Sequence, residues 1–403
     1  MVRCRARKSE KSCLASDECI WKDGKCEYKD AQNSPARSKS PPKRTKSPVR
    51  SKSPPKRSKS PASSEKSTST STSTSNSTGT PKKLTNLKNR HCMYYTNKYD
   101  LTHQTKVKLS SVLKETYDSK YKSLTNIHLG QRKLLLSEIQ LLTEYYSNHK
   151  KDPILLYIGA AIGSHLLILH ELFPNVHFIL YDGAAFDKRL DKYPEVFEIH
   201  TGKDGFFTTE LCKTLKDKYK PLIFVSDIRL GEEDFEKGVM RDMISQKEWI
   251  QILKPELSLV KFRMPYSLKH GETLEYLKGD ILYGVWPKET SGETRLLIRK
   301  ENVKKLKQYD FKSYEEVMFF HNKYTRPFCF DIIEQYEKYT DTYCPCYDCI
   351  SELVALDNYS KVHKALSMDN AVAIMKKLPA KNFYSKPKQP LKSLDSLLET
   401  KFK

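Results

Sequence analysis

Apolar residues along the chain fall into two alternating patterns. Gln131 to Tyr145 carries Leu134, Leu135, Ile139 and Leu142 at helical spacing, which predicts an amphipathic helix. Short apolar runs then alternate with amphipathic stretches. Strands are predicted at 153–158, 176–181, 196–200, 222–226 and 257–262, with helices at 163–173, 206–219 and 238–253 between them. The segments 281–285 and 294–299 read as an antiparallel pair, and 301–380 reads as mainly helical. Buried strands alternating with helices predict an α/β fold, a doubly wound Rossmann-like sheet with flanking helices.

The pattern is absent before about residue 85. Residues 1–30 form a small cysteine-rich module with Cys4, Cys13, Cys19 and Cys26. Two disulfides or a zinc ion can hold so short a segment; the spacings fit no zinc signature, which favours disulfide or adaptor use. Residues 31–84 repeat Ser-Lys-Ser-Pro-Pro-Lys-Arg at 38–44 and 51–57 and continue into a Ser/Thr run. Without apolar residues there is no burial to offset ordering entropy, so a disordered linker is expected. The domain reading continues with 85–340 as the catalytic domain and 341–403 as a helical and basic extension.

Charge changes the picture less than its total suggests. The net charge is +22, but +14 of it lies in the first 84 residues. A polyanionic partner such as RNA is indicated, chiefly by the tail. There is no apolar run long enough for a membrane span, and the cysteine usage of the central chain suits a reducing compartment. Cys344, Cys346 and Cys349, with Cys329, His321 or His363 as a fourth ligand, make a weak metal pattern; reduced structural thiols are the expectation, with no metal.

The candidate chemistry sits at strand ends, where sheets of this type bind ligands. After the first strand the chain reads Tyr157-Ile-Gly159-Ala-Ala-Ile-Gly163-Ser-His165, a glycine turn without the G-x-G-x-x-G arrangement that seats a pyrophosphate. Asp182 ends the second strand, where a carboxylate can accept ribose hydroxyls. This is the layout of S-adenosylmethionine methyltransferases. Lys133 near the start of the first helix, Asp227 ending the fourth strand, Lys261 ending the fifth and Glu293 before the next strand form a candidate catalytic tetrad. Methyl transfer to a ribose 2′-hydroxyl needs a base, and a lysine serves only when a neighbouring cation or burial lowers its pKa. Lys261 is the expected base.

These residues, with Gly130-Gln-Arg-Lys133-Leu-Leu-Leu, Ser226-Asp227-Ile-Arg229 and Glu293-Thr-Arg-Leu-Leu, resemble the poxvirus family of cap-specific mRNA 2′-O-methyltransferases over residues 125–325; the tetrad alone is similar to the wider FtsJ-like group. The resemblance implies a class I methyltransferase sheet and S-adenosyl-L-methionine as cofactor. It also implies that Gln131, Tyr157, Gly159, Gly163, His165, Asp182, Asp227, Ile228 and Arg229 line the cofactor pocket. It puts Tyr266 and Glu315, with Arg263, at the methylated guanine of a capped mRNA, and offers Tyr99 or Tyr117 as a second stacking aromatic. Ala184 and Leu268 depart from the family, which has an arginine and a second cap-contacting aspartate there. A second role, as processivity subunit of a viral poly(A) polymerase, comes with the family. So does a large DNA virus of the mimivirus type as source, with host cytoplasm (the viral factory) or virion as location. The Cys19–Cys26 stretch resembles short cysteine adaptor modules of giant-virus proteins. Other readings are a ribose methyltransferase on non-cap RNA and a non-catalytic RNA-binding polymerase factor.

Overall fold

The computed structural model describes residues 19–22, 25–28, 94–96, 116–118, 129–229, 234–269, 271–287, 291–326, 328–330, 334–339, 342–343, 346–378 and 392–393. Cys4, Cys13, the 31–84 repeat segment and Tyr99 lie outside them. The chain divides into two units, residues 1–76 and 77–403. In the first, Cys19–Lys22 and Lys25–Tyr28 pair as an antiparallel hairpin with Trp21 opposite Cys26.

In the second unit the alternating pattern folds into a seven-stranded sheet. Its strands are β1 (Ile154–Ile158), β2 (His177–Asp182), β3 (Phe197–Thr201), β4 (Leu222–Ser226) and β5 (Leu257–Phe262), then β7 (Asp280–Leu282) and β8 (Thr294–Arg299). The spatial order is β7-β8-β5-β4-β1-β2-β3. β1 to β5 run parallel, while β8 is antiparallel to both β5 and β7. The order reverses at β1, so the crevice above β1 and β4 is the topological switch point where such sheets bind ligands.

Alternation along each strand builds two cores, one per face. Leu155, Tyr157, Phe178, Leu180, Ile223, Val225 and Leu259 face helices α1 (Gly130–Asn148) and α2 (Leu166–Leu172). Leu156, Ile158, Ile179, Phe224, Val260 and Phe262 face α3 (Thr209–Leu215) and α4 (Phe235–Leu253). Helices α6 (Tyr347–Val362) and α7 (Met368–Met375) join the first core, with α6 packed on α1. The fold is the expected doubly wound α/β sheet, mostly parallel and flanked by helices.

Helix starts depart from the pattern for reasons of capping. Thr208 accepts a hydrogen bond from the Leu211 N–H at 3.2 Å, so α3 begins at Thr209 rather than 206. Asp234 accepts from the N–H groups of Glu236 and Lys237, which starts α4 at Phe235 rather than 238. Among the described residues of 301–380 helix predominates, as expected, but the stretch opens with a strand. β9 (Leu306–Asp310) pairs antiparallel with β6 (Thr273–Leu277) before α5 (Phe311–Phe320) begins. The ribbon is half exposed, with only Tyr276, Leu277 and Tyr309 in the core, too few to mark it as strand.

Candidate functional site

The turn after β1 is built on close approach. Gly159 has φ +79°, and a Cβ there would meet the Ile228 nitrogen at 2.8 Å and the Asp227 carbonyl carbon at 2.9 Å, both backbone. The turn therefore lies directly against the end of β4, and only glycine fits. Gly159→Ala is expected to destabilise the fold by about 1–3 kcal/mol from the backbone strain alone. It should also displace Asp227; thermal melting beside ligand binding would check both.

Asp182 orients the same turn from β2. Its Oδ2 accepts from the Ala161 N–H at 2.9 Å and its Oδ1 from the Ala184 N–H at 2.8 Å. Each oxygen keeps a free lone pair for a hydroxyl. Phe206, 56% exposed, lies against Gly183 beside this carboxylate, an aromatic face that the sequence reading overlooked. Gly163 follows at φ +71°. Tyr157 and His165 are wholly buried under the turn, Ile228 is nearly so, and Gln131 is half-buried beside Ser164. Burial first, then the Glu138 and Asp227 carboxylates, push the Tyr157 phenol far above its ordinary range. Arg229 donates to the Ile228 carbonyl, and burial lowers its guanidinium's pKa.

The four expected catalytic residues converge in one ion-paired cluster. Lys261 Nζ, from β5, lies 3.0 Å from Asp227 Oδ1 and 3.8 Å from Glu293 Oε2, and donates to the Asp227 carbonyl at 2.9 Å. Lys133 Nζ, from the first turn of α1, donates to Glu293 Oε1 at 2.7 Å. A fifth member, Arg295, was not singled out from sequence. It sits on β8 directly across from Lys261 on β5. Two cations at facing positions repel, and the acids resolve this: Arg295 pairs with Asp227 Oδ1 and, at 3.1 Å, with Glu293 Oε1.

Three cations against two carboxylates leave one positive charge in excess. Burial lowers the Lys133 pKa, and the Arg295 cation adds to it, against the pull of Glu293 and Asp227. Burial alone would raise the Glu293 carboxyl, but Arg295, Lys261 and Lys133 together hold it far below the usual range. The cluster is thus a place where one lysine can shed its proton at low electrostatic cost.

Beside the cluster lies a cleft lined by Tyr117, Tyr266, Glu315, Met264, Gly292 and Phe319, among others. Two aromatics and a carboxylate of the predicted set therefore share one cavity. Tyr266 is half exposed, its N–H bound to Glu236 Oε2 at 2.7 Å. Arg263 does not line the cleft. It is buried, pairs with Glu236 at 2.7 Å and places its guanidinium 4.1 Å from the Tyr266 ring centroid. Glu236 thus holds both the tyrosine and the cation behind it. Tyr117 stands edge-on to Phe319 at 5.3 Å.

Cys346 and Cys349 are buried at the start of α6, where Cys346 Sγ accepts from the Cys349 N–H at 3.5 Å. Among the described residues no helix is long and apolar enough to cross a membrane.

Residues 103–378 match the family model described as Poly A polymerase regulatory subunit. The cap-specific mRNA (nucleoside-2′-O-)-methyltransferase of Fowlpox virus (strain NVSL) is 30% identical over 213 residues, which are 49% of this chain and 68% of that protein. Precorrin-6y C5,15-methyltransferase from Geobacter metallireducens GS-15 shares 11% identity, covering 45% of this chain and 93% of that one, with a TM-score of 0.22, too slight a likeness to bear on the fold.

Proposed function

The chain belongs to the Poly A polymerase regulatory subunit family, and from that membership and the charged cluster we propose that it is an S-adenosylmethionine-dependent methyltransferase acting on the ribose 2′-hydroxyl of the first transcribed nucleotide of m7G-capped mRNA. The observation that carries this reading is the convergence of Lys133, Asp227, Lys261 and Glu293 at the carboxyl ends of the parallel strands. Four such side chains, drawn from one helix and three separate strand ends, serve no packing need.

The residues around the β1 turn fit the cofactor. The Gly159 turn leaves a close backbone surface, Asp182 offers oxygen lone pairs to ribose hydroxyls, Phe206 an aromatic face to a base, and Gln131 an amide to the amino-acid end. When bound, S-adenosylmethionine supplies an electrophilic methyl group. Lys261 Nζ takes the proton of the 2′-hydroxyl as its oxygen becomes the nucleophile. Asp227 and Glu293 keep that amine from swinging into water. Lys133 and Arg295 neutralise Glu293 and Asp227, so that the acids do not hold every lysine proton in place.

The Tyr117–Tyr266–Glu315 cleft supports the cap as substrate, since a cationic purine stacks on an aromatic face with an acid at its edge. The test is transfer of a labelled methyl group to short RNAs ending in m7Gppp, Gppp or ppp. Transfer confined to m7Gppp-RNA supports the reading; transfer regardless of the 5′ end moves the substrate to non-cap RNA. Tyr266→Ala is expected to raise KM for m7Gppp-RNA about tenfold to a hundredfold, with kcat little changed.

The family description favours a second role as an RNA-binding processivity factor for a poly(A) polymerase catalytic subunit. Added tail length in a polymerase extension assay would test it.

A further inference from the structure

Three donors converge on a single side-chain atom at the start of α1. The His165 backbone N–H at 3.4 Å, His165 Nδ1 at 2.7 Å and the Ser164 hydroxyl at 3.2 Å all reach Gln131 Oε1. A backbone N–H can only donate, so the atom it meets is the amide's oxygen and not its nitrogen. His165 Nδ1 therefore carries a hydrogen.

On the other side of the ring, His165 Nε2 lies 3.1 Å from Glu138 Oε1. Both side chains are buried, Glu138 coming from the same helix as Gln131, seven positions on, and so from the same face. That contact needs one proton, and whichever partner keeps it, the Nδ1 hydrogen stays where it is. The Tyr157 ring stands edge-on to His165 at 6.3 Å and closes the pocket. Gln131 Nε2 has no acceptor among the described residues, and Gln131 and Ser164 line an open cavity of about 280 Å³.

We propose that Glu138 and His165 are positioning residues: a buried Glu138–His165–Gln131 relay locks the amide with its oxygen inward, so that its NH₂ group alone meets the ligand and selects the carboxylate of the cofactor's amino-acid end. This rests on the cofactor reading above. A freely turning amide would present its oxygen as readily and would accept an ammonium as well as donate to a carboxylate. The relay removes that choice.

The test compares binding of S-adenosylmethionine with that of decarboxylated S-adenosylmethionine by calorimetry. The wild-type chain is expected to favour the carboxylated form by about tenfold to a hundredfold. His165→Asn keeps a donor where Nδ1 stands, and should keep most of this preference. His165→Gln keeps only a group where Nε2 stands, and should lower the preference severalfold without weakening the decarboxylated ligand, the His165 backbone N–H and the Ser164 hydroxyl still reaching the amide oxygen. Gln131→Met leaves the buried pair intact and should bring the preference close to one, so the proposal stays testable if His165→Gln melts too early to assay.

Equal ratios in His165→Asn and His165→Gln overturn the relay. So does a loss falling equally on both ligands, or an unchanged ratio in Gln131→Met. A wild-type chain that binds both ligands alike leaves the cofactor reading standing and overturns the relay alone. One that binds neither overturns both.

Discussion

Lys261→Ala is expected to lower methyl transfer to capped RNA by about 10²–10⁴-fold, the range a positioned general base contributes, with little change in melting temperature. The second half follows from the cluster's charge. Removing Lys261 leaves Lys133 and Arg295 facing Asp227 and Glu293, a balanced set in which Lys133 still bonds Glu293 and Arg295 still bonds both acids. Removing an acid instead would strand two or more buried cations, so the fold should tolerate Lys261→Ala far better than Glu293→Ala. Lys261→Arg separates proton transfer from charge. It retains the cation, but guanidinium does not deprotonate in proteins, so it should be as inactive as the alanine variant. Arginine that restores activity would make the role electrostatic. An alanine variant within about tenfold of wild type would move the base to Lys133, whose pKa burial and Arg295 already lower. Single-turnover transfer with m7Gppp-RNA, beside thermal melting, reads all of these outcomes. If the chain also acts as a polymerase factor, Lys261→Ala should leave that stimulation intact, since it alters neither the surface nor the fold.

The parallel half of the sheet was legible because four of its five strands are short apolar runs with a chemical marker at the carboxyl end: Gly159, Asp182, Asp227 and Lys261. Four markers in chain order at matched strand ends point to one edge of the sheet without any knowledge of contacts. Arg295 escaped notice because its role depends on register. It stands two residues after Glu293 in sequence, and only the pairing of β8 with β5 sets it against Lys261. Glu138 escaped for a different reason. On α1 it reads as one more polar residue of an amphipathic helix, and its burial is evident only once His165 folds over it. Phe206 reads from sequence as the first residue of a helix over 206–219, and only the structure puts it in the connection before α3. Tyr266 and Glu315 are 49 positions apart, and their meeting depends on the β6–β9 ribbon, which the pattern of 301–380 concealed. What sequence conveys poorly here is pairing across distant strands and the burial of polar groups.

Glu352→Ala should cost about 3–5 kcal/mol, the effect of stripping the partner from a buried charge, against total stabilities of roughly 5–15 kcal/mol for folded domains. Arg132 is buried on α1 and donates through Nε to Glu352 Oε2 at 2.6 Å and through its terminal nitrogen to Oε1. Its other nitrogen reaches the Met375 carbonyl at 3.3 Å, and the Tyr343 hydroxyl donates to Glu352 at 2.7 Å. Burial alone would lower the Arg132 pKa; the Glu352 carboxylate overcomes this and holds it above its ordinary range. Without Glu352 the guanidinium loses the carboxylate that pairs with it through two nitrogens, and the Tyr343 hydroxyl loses its acceptor. Replacing both partners by apolar side chains of similar length, Arg132→Met with Glu352→Met, should recover most of the loss, because neither charge then has to be desolvated. Urea unfolding of the two single variants and the double variant measures this. A Glu352→Ala change below about 1 kcal/mol would mean that water reaches the pair. The consequence extends past stability. Arg132 stands between Gln131 and Lys133 on the first turn of α1, so the clamp from α6 and α7 fixes the helix start that presents both. If the double variant regains stability but not methyl transfer, the ion pair aligns that first turn by its directionality, which packing alone does not reproduce. If it regains both, the C-terminal helices contribute burial and nothing more specific.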